Sequence, residues 1–322
     1  EMDIFELKEE VKNGYEVTRE EAIEIYKSDY EKLTSAANEL REYFCGNDFD
    51  ICTIINAKSG KCSENCKFCA QSSHYKTRVK EYDLLDKETI VEDAVDKYNR
   101  GVPRFSMVAS GKSLTEDDIE KICDITREIY KRAPGIRVCL SGGLISQEGF
   151  KKLKDAGIKR VHNNLETSRN YFKEICTTHS YDQKINTIKA AQASGMEICS
   201  GGLIGLGESF IDRIDMALEL RDLNIKSVPV NLLNPVKNTP LENNEKLSME
   251  EVNRTCATYR FILKDAFIRL AGGRALMDGF GKSAFRSGAN ATISGVLLTT
   301  EGPSIEEDIE TLEKLNFNIK AV

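Results

Sequence analysis

Read for hydrophobic periodicity, the chain falls into two regimes. Over the first ~50 residues, apolar positions recur three and four apart between charged ones, at 6–13, 18–27 and 29–45, which predicts amphipathic helices. Thr18 with Glu21 three residues on gives the second of them a capping-box pattern. From residue 51 the pattern changes. Short apolar runs at 51–56, 104–109, 136–140, 160–164, 197–201, 227–231, 267–270 and 290–294 predict buried strands. Amphipathic stretches at 87–100, 115–132, 146–155, 181–194, 210–222 and 248–264 predict the helices between, with Gly195 as a helix stop. Eight strands with intervening helices over ~245 residues fit the α/β class in its (β/α)₈ TIM-type barrel form. The expected division is an N-terminal helical extension over 1–50, the barrel over 51–300, and a C-terminal helix with a frayed tail over 301–322. A doubly wound open sheet is the competing arrangement. No tandem repeat, low-complexity tract or flexible linker interrupts the pattern.

Composition narrows the partners. A net charge of −7 argues against nucleic acid or an anionic membrane, and no apolar run approaches transmembrane length. The acidic start, Glu1 to Glu6, does not read as a signal peptide, so a reducing cytoplasm is expected. There, clustered cysteines among the ten bind metal more often than they form disulfides.

Three of the ten stand together in Lys61-Cys62-Ser63-Glu64-Asn65-Cys66-Lys67-Phe68-Cys69, a CxxxCxxC pattern just after the first predicted strand. Three thiolates this close can hold one iron–sulfur cubane and leave its fourth corner open. A Cys₃His zinc site using His74 is the competing reading, and three unrelated buried thiols a weaker one. In a barrel, the end of a strand is also where chemistry resides.

CxxxCxxC with Phe68 before the last cysteine resembles the radical S-adenosylmethionine (SAM) superfamily. The continuation Gln71-Ser72-Ser73-His74-Tyr75-Lys76-Thr77 is similar to that of the biotin synthase family. The resemblance runs from about residue 51 to 300. It implies that Cys62, Cys66 and Cys69 hold a [4Fe–4S] cluster whose free iron chelates SAM, with Phe68 against the adenine. It also implies sulfur insertion into dethiobiotin to give biotin. SAM cleavage would yield a 5′-deoxyadenosyl radical that removes hydrogen from the substrate. No side chain is then expected to act as a conventional acid or base.

Other motifs extend the likeness. Gly201-Gly202-Leu203-Ile204-Gly205-Leu206-Gly207-Glu208 is by itself only a tight strand-to-helix turn, but the resemblance makes Gly205, Leu206 and Gly207 a backbone wall for SAM. Val161-His162-Asn163-Asn164-Leu165-Glu166-Thr167 resembles the family's YNxNLDT. It implies Asn164 on the substrate side and Glu166 on the SAM ribose, with His162 standing where an Asn is usual. Taken alone, Glu166 is equally a surface carboxylate. Lys184 occupies a position where Arg is common, facing the SAM carboxylate. Asn231, in a segment like SVPxN, would bind the ureido ring, since an amide offers a donor and an acceptor to a cyclic urea. Thr299 and Thr300 would meet the substrate carboxylate, or else form a loop turn.

The resemblance further implies a second, auxiliary cluster deep in the barrel that supplies the sulfur. The family pattern places Cys139, Cys199 and Arg269 at it, but the expected cysteine on the second strand is Ser106. Cys52, on the first strand where the family has Ser, shares its phase with Ile54 and Asn56, and inward positions alternate along a barrel strand. Cys52, Cys139, Cys199 and Arg269 are therefore the expected ligand set, for a [2Fe–2S] cluster or one with more irons. The alternative is that Cys52 is a small buried apolar residue. Arg104 is either an inward cation that offsets cluster charge or a barrel-end ion pair. Cys45, Cys123, Cys176 and Cys256 show no ligand spacing and read as ordinary thiols. The implied partners are SAM, dethiobiotin, an electron donor such as flavodoxin or ferredoxin, and a second copy in a homodimer. A sibling radical SAM enzyme, of the hydrogenase-maturation or methylornithine kind, and a non-catalytic iron–sulfur scaffold are the other readings.

Overall fold

Residues 2–298 and 302–320 are described in the computed structural model. Three helices come first: α1 (Ile4–Lys12), α2 (Arg19–Lys27) and α3 (Tyr30–Cys45). Thr18 and Glu21 form the full reciprocal capping box at the start of α2. The strands that follow are β1 (Asp48–Lys58), β2 (Arg104–Ala109), β3 (Arg137–Ser141), β4 (Arg160–His162), β5 (Glu197–Cys199), β6 (Gly202–Ile204), β7 (Ser227–Leu232), β8 (Phe267–Leu270) and β9 (Ala291–Ile293). Neighbours pair in parallel in the order β1-β2-β3-β4-β5-β7-β8-β9, and β9 pairs back with β1 to close the ring. β5 and β6 are two pieces of one stave, both paired with β7. The barrel, not the open sheet, is what forms.

Helices α4 (Lys87–Asn99), α5 (Glu116–Arg132), α6 (Gln147–Ala156), α7 (Arg169–Ile175), α8 (Tyr181–Ala193), α9 (Phe210–Asp222) and α10 (Met249–Leu263) wrap the staves. The outward strand positions they cover are apolar and buried, such as Phe105, Met107, Val138, Leu140, Val161, Val228, Val230 and Ile268. The inward positions are not. Cys52, Arg104, Ser106, Cys139, Arg160, His162, Cys199 and Arg269 all face the interior cavity. A barrel interior is ordinarily packed with branched aliphatic side chains. Here polar groups stand in their place, at the cost of desolvation, and that marks the interior as a site.

α3 packs on α10, α1 on α3, and α2 across α9 and α10. Tyr26 of α2 stacks on Phe210 of α9 with ring centroids 4.5 Å apart. At the other end α11 (Ile305–Lys314) is fixed by Asp308, which takes Arg274 on both oxygens at 2.8 and 2.9 Å. The tail expected to fray instead forms β10 (Asn318–Ile319), in parallel register with Asp48 and Phe49 of β1.

Candidate radical active site

The CxxxCxxC loop leaves the C-terminal end of β1, and the segment after it exists to brace it. Gln71 Oε1 accepts from Ser59 Oγ (3.0 Å) and Gly60 N (2.5 Å). Ser72 Oγ donates to Glu64 O (2.5 Å), Ser73 Oγ to Cys62 O (2.6 Å), Tyr75 Oη to Asn65 O (2.6 Å) and Thr77 Oγ1 to Ala70 O (2.6 Å). His74 Nε2 meets Ser63 O at 2.9 Å. The imidazole is thus engaged with backbone rather than aimed at the thiols, which removes the Cys₃His zinc alternative. Cys62, Cys66 and Cys69, with Phe68, are left lining one cavity of about 420 Å³.

At its opposite end that cavity is bounded by Cys52, Cys139 and Cys199, and Ser106 lies among them. Register explains the grouping. Cys52 pairs with Arg104, Ser106 with Cys139, His162 with Cys199, and Pro229 with Arg269. Burial pushes the Cys52 thiol up to about 12 and the Cys69 thiol up to about 11, so bound metal is what would make them thiolates at neutral pH. Beneath the thiols lies Asp50, which the sequence reading missed because it precedes the predicted strand. Its Oδ2 contacts Arg269 Nη2 (2.5 Å), Arg104 Nε (3.1 Å) and Arg160 Nη1 (3.5 Å). Arg104 also reaches Cys139 Sγ with Nη1 at 3.4 Å, so it is both an ion-pair partner and a cation beside the thiols. Ser227 Oγ lies 3.2 Å from Cys199 Sγ.

Between the two ends stand His162, Asn164, Glu166 and Asn231. His162 Nε2 meets Asn164 Oδ1 at 2.8 Å, and enclosure by protein pulls its pKa down to about 4, so the ring is neutral. Asn231 already donates to Gly202 O (3.0 Å) and accepts from Gly272 N (2.8 Å), which orients its amide and leaves one N–H toward the cavity. Glu166 has its Oε2 buried without a partner. Burial raises its pKa, against the pull of Lys184, whose Nζ lies 3.5 Å from Asn163 Oδ1. Within the glycine run, Leu203 borders the cavity. The Gly205 and Leu206 amides donate to the Glu208 carboxylate at 2.9 and 2.7 Å, so these residues form a turn. Thr299 and Thr300 lie outside the described residues.

Residues 57–220 match the Radical SAM superfamily, and residues 229–318 match the Biotin and Thiamin Synthesis associated domain. A curated biotin synthase of Brachyspira hyodysenteriae is 56% identical over 320 residues, covering 99% of this chain and 96% of that one. One from Akkermansia muciniphila is 50% identical, covering 96% of each. The chain belongs to the biotin synthase family. It is an enzyme of the radical SAM sulfurtransferase type. Solved structures of a methylornithine synthase (TM-score 0.83, 18% identity, 98% of this chain and 97% of that one) and of the FeFe-hydrogenase maturase from Carboxydothermus hydrogenoformans (TM-score 0.83, 18% identity, 98% and 78%) share the fold.

The biotin synthase fold implies a [4Fe–4S] cluster and SAM, and the residues present suit both. Three thiols of one braced loop line the same cavity, and the orphaned Glu166 Oε2 is an acceptor waiting for a hydroxyl donor. Gly202 lets the backbone close on Glu166: a Cβ there would sit 2.2 Å from Glu166 O. One residue near the loop escaped the sequence reading. Cys176, at the end of α7, lies with its Sγ 3.8 Å from Cys66 Sγ, although 110 positions separate them and nothing local signals it. No described helix is long and apolar enough to cross a membrane.

Proposed function

We propose that the chain converts dethiobiotin to biotin, with SAM bound at the Cys62/Cys66/Cys69 end of the cavity and the sulfur drawn from an auxiliary cluster held by Cys52, Cys139, Cys199 and Arg269. The observation that carries this is one cavity lined by a thiol trio at each end, with amide and imidazole groups between. When bound, the two clusters and SAM supply a deoxyadenosyl radical and a sulfide. The chain's own residues do the rest. Glu166 takes the ribose hydroxyls, Lys184 faces the SAM carboxylate, and Phe68 lies against the adenine. Asn164, Asn231 and His162 hold the ureido ring so that the carbon to be attacked points toward the floor. Thr299 and Thr300 receive the substrate carboxylate. Enclosure by the staves keeps water and stray hydrogen donors away from the radical.

The auxiliary ligand set differs from the usual family pattern by a cysteine moved from the second strand to the first, which supports a cluster other than, or larger than, [2Fe–2S]. We further infer an external one-electron donor of the flavodoxin or ferredoxin kind and a cytoplasmic homodimer. The test is anaerobic incubation of the reconstituted chain with SAM, reductant and dethiobiotin, followed by mass spectrometry. Biotin together with deoxyadenosine is expected. Deoxyadenosine formed without biotin, or intact SAM, overturns the proposal.

A further inference from the structure

The loop carrying the SAM-cluster thiols is laced to the segment between α7 and α8. Lys67 N donates to Ile175 O (2.9 Å), Asn65 N to Thr178 Oγ1 (3.1 Å), Asn65 Nδ2 to Thr177 Oγ1 (2.6 Å), and Thr177 N to Asn65 Oδ1 (2.9 Å). Held by these bonds, Cys66 belongs to two groups of soft donors at once. One is the Cys62/Cys66/Cys69 trio of the loop. The other is Cys66, Cys176 and His179, whose two sulfurs and one ring nitrogen all lie within 4.8 Å of one another. Cys66 Sγ and Cys176 Sγ are 3.8 Å apart, and His179 Nε2 is 3.8 Å from Cys176 Sγ. His179 Nδ1 meets Glu64 Oε1 at 2.7 Å, and these two side chains are only 7% and 6% exposed.

These separations are those of a coordination shell. With metal–sulfur bonds of about 2.3 Å and metal–nitrogen bonds of about 2.1 Å, two sulfurs on one tetrahedral ion stand ~3.8 Å apart, and a sulfur and a nitrogen ~3.6 Å. A ligating imidazole ordinarily has its other nitrogen on a carboxylate, which fixes the ring. Glu64 does this at Nδ1 and leaves Nε2 for the ion. Two thiolates and an imidazole suit zinc or ferrous iron rather than magnesium or calcium. We propose that Cys66, Cys176 and His179 bind one such divalent ion in the cluster-free chain, and that this ion and the cubane exclude each other because both require Cys66. The ion takes both sulfurs as thiolates with a neutral ring, and the displaced protons leave to solvent. The fourth position falls to water. The exclusion rests on the reading of Cys62, Cys66 and Cys69 as cluster ligands; the binding does not.

Cobalt(II) is the probe, titrated anaerobically into the whole cluster-free chain with its thiols reduced and followed by thiolate-to-cobalt charge-transfer absorption. The host variant is Cys62→Ala/Cys69→Ala, which cannot build the cubane on the loop but keeps all three proposed ligands. Adding Cys176→Ala should lower bound cobalt by about one ion per chain. Cys52, Cys139 and Cys199 are the same in both, so the difference reports this site. Equal cobalt in the two chains overturns the inference. If Cys176→Ala does not fold, X-ray absorption of the cobalt-loaded host decides. An imidazole must appear in the cobalt shell and be lost in His179→Ala, and a shell that His179→Ala leaves unchanged overturns it. Exclusion is read in the wild type. Loaded with zinc and then supplied with iron and sulfide, it should not develop the electron paramagnetic resonance signal of the reduced cubane, whereas Cys176→Ala given the same zinc should. A signal in both, or in neither, overturns the exclusion. A zinc-free wild type that never gives a cubane signal would sink the cluster reading itself, with the cobalt result unaffected.

Discussion

Glu166 is held at φ 71°, in the left-handed region, and a non-glycine residue there costs on the order of 1–2 kcal/mol. What holds it is pairing with the Gly202 segment: Glu166 N donates to Gly201 O (3.1 Å) and Leu203 N to Glu166 O (2.9 Å). The strain aims a carboxylate into the cavity with one oxygen unpaired. Without ligand this is unfavourable, so Glu166→Gln should make the cofactor-free chain more stable while weakening SAM roughly tenfold to hundredfold, by isothermal titration. The sign with pH follows. Burial raises the folded pKa of Glu166, so its contribution is intact below the ordinary carboxylate pKa and is lost as pH rises through the raised value. The melting-temperature gap in favour of Glu166→Gln should therefore widen from about pH 4 to about pH 7, and a constant gap would contradict this. Cys52 is the second residue-scale case. Its side-chain phase was readable in the sequence, as was the Ser at 106. Cys52→Ala should lower iron per chain with the first cluster's signal intact, and biotin formation should fall at least ~100-fold. The double exchange Cys52→Ser with Ser106→Cys, which puts three thiols back on the same cavity, should recover auxiliary iron; failure to recover it would count against Cys52 as a ligand.

At the scale of elements, the segment 71–77 behaves as a brace. Each of Gln71, Ser72, Ser73, Tyr75 and Thr77 spends its side chain on a backbone or hydroxyl group of residues 59–70. Removing Gln71 strands the Ser59 hydroxyl and the Gly60 amide, at ~1–3 kcal/mol for each group left unpaired. Gln71→Ala should thus release cluster iron to a chelator at least about tenfold faster, read by absorbance, with little change in overall helicity. The motif was recognisable in the sequence, but its bracing purpose was not, because it depends on how the loop folds back. Strands were legible as short apolar runs, and the helix caps at Thr18, Thr115 and Ser248 fall on visible Ser/Thr signals. Short elements were not. α7 spans 7 residues and β10 only 2, too few for periodicity to register. The break between β5 and β6 lies inside a glycine run that reads as a turn.

For the whole molecule, the deepest feature is a charge cluster that no single segment displays. Asp50 from β1 gathers Arg104 from β2, Arg160 from β4 and Arg269 from β8. All four residues sit at inward positions, yet their meeting depends on register around a closed ring, which a linear reading does not supply. The three guanidiniums share the buried Asp50 carboxylate, Arg160 also pairs with Glu197 at 3.1 Å, and the charge cluster lies directly under Cys52, Cys139 and Cys199. Thiolates formed on metal binding would face those guanidiniums, so folding and cluster loading share one electrostatic account. Burial alone would raise the Asp50 pKa, but Arg269, then Arg104 and Arg160, outweigh it and hold the group below the usual carboxylate range. Its stabilising contribution is then present above the ordinary carboxylate pKa and is lost as pH falls through the depressed one. Asp50→Asn removes the buried carboxylate that Arg269, Arg104 and Arg160 share and should cost about 3–5 kcal/mol in chemical denaturation of the cluster-free chain at neutral pH. That deficit should shrink on acidification. It should also shrink once the auxiliary cluster is loaded, because ligated thiolates then stand in for the missing carboxylate. Equal deficits with and without auxiliary iron would separate the arginine floor from the cluster and leave Asp50 as a purely structural anchor.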